Sequence, residues 1–232
     1  MHDEFTDVMT YVGSETYSTD LAAAQAVWSA PGVLEAAGSL VLLTYFSVPD
    51  LLAVQAAGSG SPRTAIDGHR EQRFLREMLG LTVDERRGGG FGNPAVRESI
   101  VWLGKHHLGY PGMTGEFMEF IAEMLTMSPL RVQPLIGGPA PSTEEVDHYW
   151  RYMCMGMSLL GARLRPRPDA EAFITGFTER RARPCALGRE LIGYYLARHP
   201  THVSLALPAM SPAARAVVET VQSEGVERLR FR

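Results

Sequence analysis

Along this chain apolar positions recur at three- and four-residue spacing and nowhere alternate over a useful length, so the pattern predicts helices and no sheet. The clearest stripe is Phe117, Phe120, Ile121, Met124 and Leu125, one face of a core-facing helix expected to end at Ser128-Pro129. Ser142 and Glu145 form a capping-box pattern, after which Val146, Tyr149, Trp150, Met153 and Met157 share a face. Asn93-Pro94 supplies a cap and a first-turn proline for a helix over Ala95 to His107, with Gly104 its single weak point. The most apolar stretch, GVLEAAGSLVLLTYFSVPDLLAVQAA, is broken by Glu35 and by Pro49-Asp50 and reads as two buried helices. Further helices are expected over Ala170 to Arg181, over Leu187 to Arg198, and from Ser211-Pro212 to about Ser223. Between them, GSGSP (58–62), RRGGGFGNP (86–94) and PLIGGPAP (134–141) read as surface loops. The fold class is all-α, and 232 residues suit a single globular multi-helix domain.

Composition narrows the function. A net charge of -4, with both signs mixed along the chain, offers no basic face for a nucleic-acid backbone. Cys154 and Cys185 are too few for a disulfide framework and lack CxxC spacing. The acidic start MHDEFTDVMTYVGSETY is unlike a secretory signal, and no uncharged run reaches the roughly 18 to 20 residues that span a bilayer. A cytoplasmic protein without a transmembrane segment is expected, and no feature of the sequence sets its oligomeric state.

Several motifs fail when their mechanism is required. GGGFGN lacks the GxGxxG spacing and follows a charged loop rather than a strand, and GSGSPRT has no lysine in the P-loop place. His199 and His202 flank Pro200, which argues for a solvated loop there. Cys154 lies in an apolar stripe, where a thiol is inert, and Met153, Met155 and Met157 read as core packing.

The segment LGKHHLGYPG is different. Val96, Ile100, Leu103 and His107 are spaced 4, 3 and 4 apart, so His107 continues the apolar stripe while His106 points about 100° away, beside Trp102. A histidine there can be a satisfied core residue, a cation at a helix C-terminus, or a metal ligand. A haem asks little more of a polypeptide than one neutral imidazole in an apolar pocket.

In order and spacing, several segments resemble the latex-clearing rubber oxygenases and MpaB-type oxygenases, a family of all-helical proteins that bind haem b. AVRESIVWLGKHHLGYPG is similar to the helix that ends in the family's iron-ligand histidine, and counting back from Pro111-Gly112 puts His107 at that position. The stretch from EFMEFIAEMLTMSPL through DHYWRYMCMGMSLLG, then PRPDAEAFITGFTERRARP, and upstream TYFSVPDLLAVQAAGSG, resemble further family segments, so the likeness covers about residues 35–200. The resemblance implies a haem pocket between helices, iron held by His107, and Trp102 with the Phe117 to Met124 stripe as pocket walls.

The chain departs from the family on the distal side. Where many members carry an Arg-Leu-x-x-Thr helix, alignment on Phe74 and Leu75 gives Asp67-Gly68-His69-Arg70-Glu71. His69, Arg70 and Glu71 then become the catalytic candidates, and Arg73 with His106 and Trp102 the further cofactor-binding candidates. The expectation is a haem b-dependent oxygenase or oxidase using molecular oxygen or peroxide on a small hydrophobic metabolite. Its alternative is a haem-free helical protein of the same fold that binds a hydrophobic ligand or a partner protein.

Overall fold

The computed structural model describes residues 2–59, 75–81, 90–137 and 139–230. Its helices are α1 (His2–Val12), α2 (Thr16–Ser29), α3 (Val33–Phe46), α4 (Pro49–Ser59), α5 (Pro94–Leu108), α6 (Gly115–Val132), α7 (Thr143–Leu159), α8 (Arg167–Arg181), α9 (Ala186–Arg198), α10 (Pro200–Ala206) and α11 (Pro212–Arg230). Among the described residues there is no strand, and the protein is all-α.

The two helices expected from the apolar stretch are α3 and α4, and α3 is the hub. Val33, Ala36, Ala37, Leu40, Leu43 and Phe46 are fully buried, and α2, α4, α6, α9, α10 and α11 all pack on this one helix. A helix apolar on every side is one that others surround. Among the described residues no single helix is long and apolar enough to cross a membrane; α2 and α3 pass that test only as a pair bent by 81°.

Local chemistry explains most of the helix ends. The Asn93 side chain accepts from Ala95 N at 3.0 Å and Pro94 opens α5. Ser142 and Glu145 form the full capping box of α7, with Glu145 N donating to Ser142 Oγ at 3.2 Å and Ser142 N to the Glu145 carboxylate at 2.7 Å. On the inner face of α7, Val146, Tyr149, Met153 and Met157 are buried while Trp150 is half-buried.

Three sequence expectations need correction. Helix α6 does not stop at Ser128-Pro129 but runs on to Val132. Pro129 cannot donate to the Leu125 carbonyl four residues back, and the Ser128 hydroxyl donates to that carbonyl at 3.2 Å instead. Pro200 does not hold His199 and His202 in a loop; it takes the first position of α10, where a missing N–H costs nothing. The last helix extends past Ser223 to Arg230.

Candidate functional site

Helix α5 carries LGKHHLGYPG, and its buried face is Val96, Arg97, Ile100 and Gly104. At Gly104 the helix lies against the chain after α7 so closely that a Cβ would sit 2.4 Å from the Leu160 carbonyl oxygen. Its N-terminus is fixed by Arg97, whose guanidinium donates to the Phe91 and Gly92 carbonyls at 2.9 and 2.7 Å. Tyr17 adds its hydroxyl as acceptor for Gly92 N at 2.6 Å. The described part of GGGFGN is thus a 3-10 turn locked by protein groups.

At the C-terminal end of α5 the two histidines part company. His106 is exposed, its ring stacked on Trp102 with centroids 4.9 Å apart, and its Nε2 lies 3.0 Å from the Tyr110 hydroxyl. His107 is half-buried, and its ring nitrogens have no hydrogen-bond partner among the described residues. Burial, helped by the neighbouring His106, holds the His107 imidazole below its ordinary value, so it is neutral at pH 7. The Tyr110 ring lies edge-on to both histidines and presses on Gly58 of α4, where a Cβ would meet Tyr110 Cγ at 2.2 Å.

A cleft of about 370 Å³ opens between α4 and the end of α5, lined by Ala57, Gly58, Lys105, His106, Gly109, Tyr110 and Pro111. That is within the roughly 300–1,000 Å³ range of small-ligand sites. The cleft borders His106 and not His107.

The expected pocket walls are not where the resemblance implied. Trp102 is 63% exposed and faces away from the core. The Phe117 to Met124 stripe is spent on packing: α6 lies against α3 and α8, and Phe120 stacks on Phe177 with centroids 3.9 Å apart. The candidates His69, Arg70, Glu71 and Arg73 lie outside the described residues.

As a haem site, the described residues fit in their donor. A neutral imidazole whose nitrogens have no hydrogen-bond partner among the described residues would suit a haem-iron ligand. For a bare metal ion they are insufficient: among the described residues no group of three or more His, Cys, Asp or Glu side chains converges.

Two further polar clusters carried no sequence signal. Glu123 of α6 is fully buried, with Oε1 accepting from Arg165 Nη1 at 2.8 Å and from Arg165 N at 3.1 Å, while its Oε2 has no hydrogen-bond partner among the described residues. Burial drives its carboxyl above the usual range against the pull of Arg165. Arg165 also pairs with Glu119 at 2.8 Å and lies 3.6 Å over the Phe173 ring. Beside this pair is a shallow cleft that includes Cys154, whose thiol burial pushes up to about 11, leaving it an inert protonated group.

The other cluster centres on Asp20 of α2, which is fully buried and binds three side chains. It accepts from Tyr11 Oη at 2.6 Å and from Arg151 Nε at 2.8 Å, and lies 2.6 Å from His148 Nδ1. Burial alone would raise the Asp20 carboxyl; Arg151, Tyr11 and His148 together outweigh it and leave it below its ordinary value. An i, i+3 pair on α7, His148 and Arg151, therefore clamps α2.

A scan against protein-family models and searches of curated proteins and solved structures found no match to this chain.

Proposed function

We propose that this chain is a haem b-dependent oxygenase or oxidase of the rubber-oxygenase and MpaB type, with His107 as the proximal iron ligand and a small hydrophobic metabolite as substrate. The observation that carries this reading is the contrast within the histidine pair. His106 has its Nε2 engaged by Tyr110 and its ring stacked on Trp102, whereas His107 is half-buried and neutral, and among the described residues its ring nitrogens have no hydrogen-bond partner.

When bound, the haem would supply the redox chemistry with oxygen or peroxide. The chain's own residues do the remaining work. Val96, Ile100 and Gly104 anchor α5 in the core, so its last turn presents His107 from a rigid base. Desolvation keeps that imidazole unprotonated and available as a donor. Tyr110 packs across both histidines and restricts their rotation. Lys105, on the cleft wall, offers a cation for a propionate or for an acidic group of the substrate. On the resemblance alone, His69, Arg70 and Glu71 are proposed as the catalytic groups and Arg73 as a further cofactor-binding group.

The test is titration of the purified apoprotein with haem b, followed by visible absorption. Saturation of a Soret band near one haem per chain supports the reading, and weak, unsaturable binding removes it.

A second reading has its own support. Trp102 and Leu108, 63% and 46% exposed, place two large apolar side chains on the outer surface of α5, and Trp102 stacks on His106 of the cleft wall. A haem-free protein that binds a hydrophobic ligand or a partner there would show no Soret band, while Trp102 fluorescence would respond to that ligand.

A further inference from the structure

Away from the histidines, a second cleft of about 570 Å³ lies against the outer face of α7. Trp150 and Cys154, one turn apart on that helix, form one wall; residues 163–166, which lead into α8, form the other, and Glu119 of α6 sits at the edge. We propose that this cleft binds a small monocarboxylate with an apolar body, the Arg163 guanidinium holding the carboxylate and the Trp150 ring the apolar part.

The two arginines of the cleft are not equivalent. Arg165 is spent on the protein: Nη1 and the backbone N donate to Glu123 at 2.8 and 3.1 Å, Nη2 donates to Glu119 at 2.8 Å, and the guanidinium lies 3.6 Å over the Phe173 ring. Arg163 is exposed and has no acidic partner among the described residues. Since Glu119 is matched by Arg165, the unmatched charge in the cleft is the Arg163 cation.

Glu123 keeps that wall in place. A fully buried carboxylate with one oxygen lacking a hydrogen-bond partner among the described residues is costly. What offsets the cost is the grip of Oε1 on both the backbone and the side chain of Arg165, which fixes the loop that carries Arg163 and Leu164. The cleft is therefore pre-organised, so little ordering is left for a ligand to bring about.

The lining selects the occupant. A guanidinium takes a carboxylate through two parallel N–H bonds, which a single free arginine can supply once. A second negative charge would meet the Glu119 carboxylate at the edge, so a monoanion is favoured over a dianion. The remaining surface is apolar: half-buried Trp150 and Leu164, the Pro166 ring, and Cys154, whose thiol burial keeps protonated and uncharged. An aryl or short acyl carboxylate matches this combination of one cation and an apolar wall.

The experiment is calorimetric titration of the purified protein at pH 7 with sodium 1-naphthoate and with its uncharged counterpart 1-naphthamide. One naphthoate per chain is expected, with the amide at least about tenfold weaker. Arg163→Gln, at an exposed position that leaves the fold intact, should weaken naphthoate at least about tenfold and leave the amide unchanged. Nuclear magnetic resonance locates the site: naphthoate should move the Trp150 indole N–H signal, assigned by its loss in Trp150→Phe, and leave that of Trp102 in place. No saturable binding at millimolar naphthoate, equal binding of acid and amide, survival of naphthoate binding in Arg163→Gln, or a shift of Trp102 in place of Trp150 overturns the proposal. None of these measurements uses haem, so they stand or fall apart from the oxygenase reading.

Discussion

Gly104 of α5 rests on the backbone of Leu160, with room for a hydrogen and not for a methyl: an added Cβ would come 2.4 Å from the carbonyl oxygen and 2.7 Å from the carbonyl carbon. Both neighbours are backbone, so neither can swing aside. Gly104→Ala should therefore destabilise the protein by about 1–3 kcal/mol as an overpacked contact, despite alanine's better helix propensity. It should also tilt the last turn of α5 and weaken whatever His107 binds. Chemical denaturation checks the first effect and ligand titration of the same variant the second. An alanine variant as stable as the parent would show that the α5 contact is loose.

Gly58 and Tyr110 make a comparable contact on the cleft side, where a Cβ would lie 2.2 Å from Tyr110 Cγ. Here the neighbour is a side chain that can move. Gly58→Ala is expected to cost little stability but to displace the Tyr110 ring and release the hydroxyl from His106 Nε2. Tyr110→Phe removes the same hydrogen bond without the steric push. Nuclear magnetic resonance of the His106 ring should shift in the same sense in both variants.

Asp20 holds Tyr11, His148 and Arg151 from a fully buried position. Asp20→Ala removes a charged acceptor and should destabilise by about 1.5–3 kcal/mol, the range for hydrogen bonds to charged groups. Arg151 is half exposed and regains water, which keeps the loss below that of a wholly buried pair. Denaturant midpoints of Asp20→Ala and of the Arg151→Ala, Asp20→Ala double variant should nearly coincide, because the carboxylate is the shared acceptor.

Glu123 gives a pH dependence of definite sign. Burial, its largest influence, raises its carboxyl in the folded chain above the unfolded value near 4.5. The folded state then binds more protons than the unfolded state over the interval between the two values. Stability from this group is present in full below about pH 4.5 and is lost as pH rises through the folded value. Glu123→Gln keeps an acceptor for Arg165 and has nothing to titrate. Thermal midpoints measured between about pH 4 and 7 should decline less steeply with rising pH in the variant; a parallel decline would place the cause elsewhere.

How much of this was readable in the chain differs from residue to residue. Helices and caps were legible where the determinants are local: Ser142 with Glu145, and Asn93 with Pro94, act within one turn. Proline misled twice because its effect depends on what else satisfies the backbone. Ser128 takes the bond that Pro129 cannot make, and Pro200 sits where no bond was due. His106 and His107 were separable by helical phase, and the structure keeps that separation. The same phase put Trp102 beside His106 and off the stripe, as its exposure bears out, whereas the close approach of Gly104 to Leu160, far apart in sequence, was not legible. Asp20 and His148 lie 128 positions apart, and no local pattern announces that pairing.

The central claim is that His107, and not His106, is the imidazole that holds iron. The most direct measurement is a haem b titration of the wild type beside His107→Ala and His106→Ala, read in the Soret region. A saturable band is expected in the wild type, abolished or strongly shifted in His107→Ala and retained in His106→Ala. Equal, weak haem binding by all three proteins, or loss confined to His106→Ala, would contradict it.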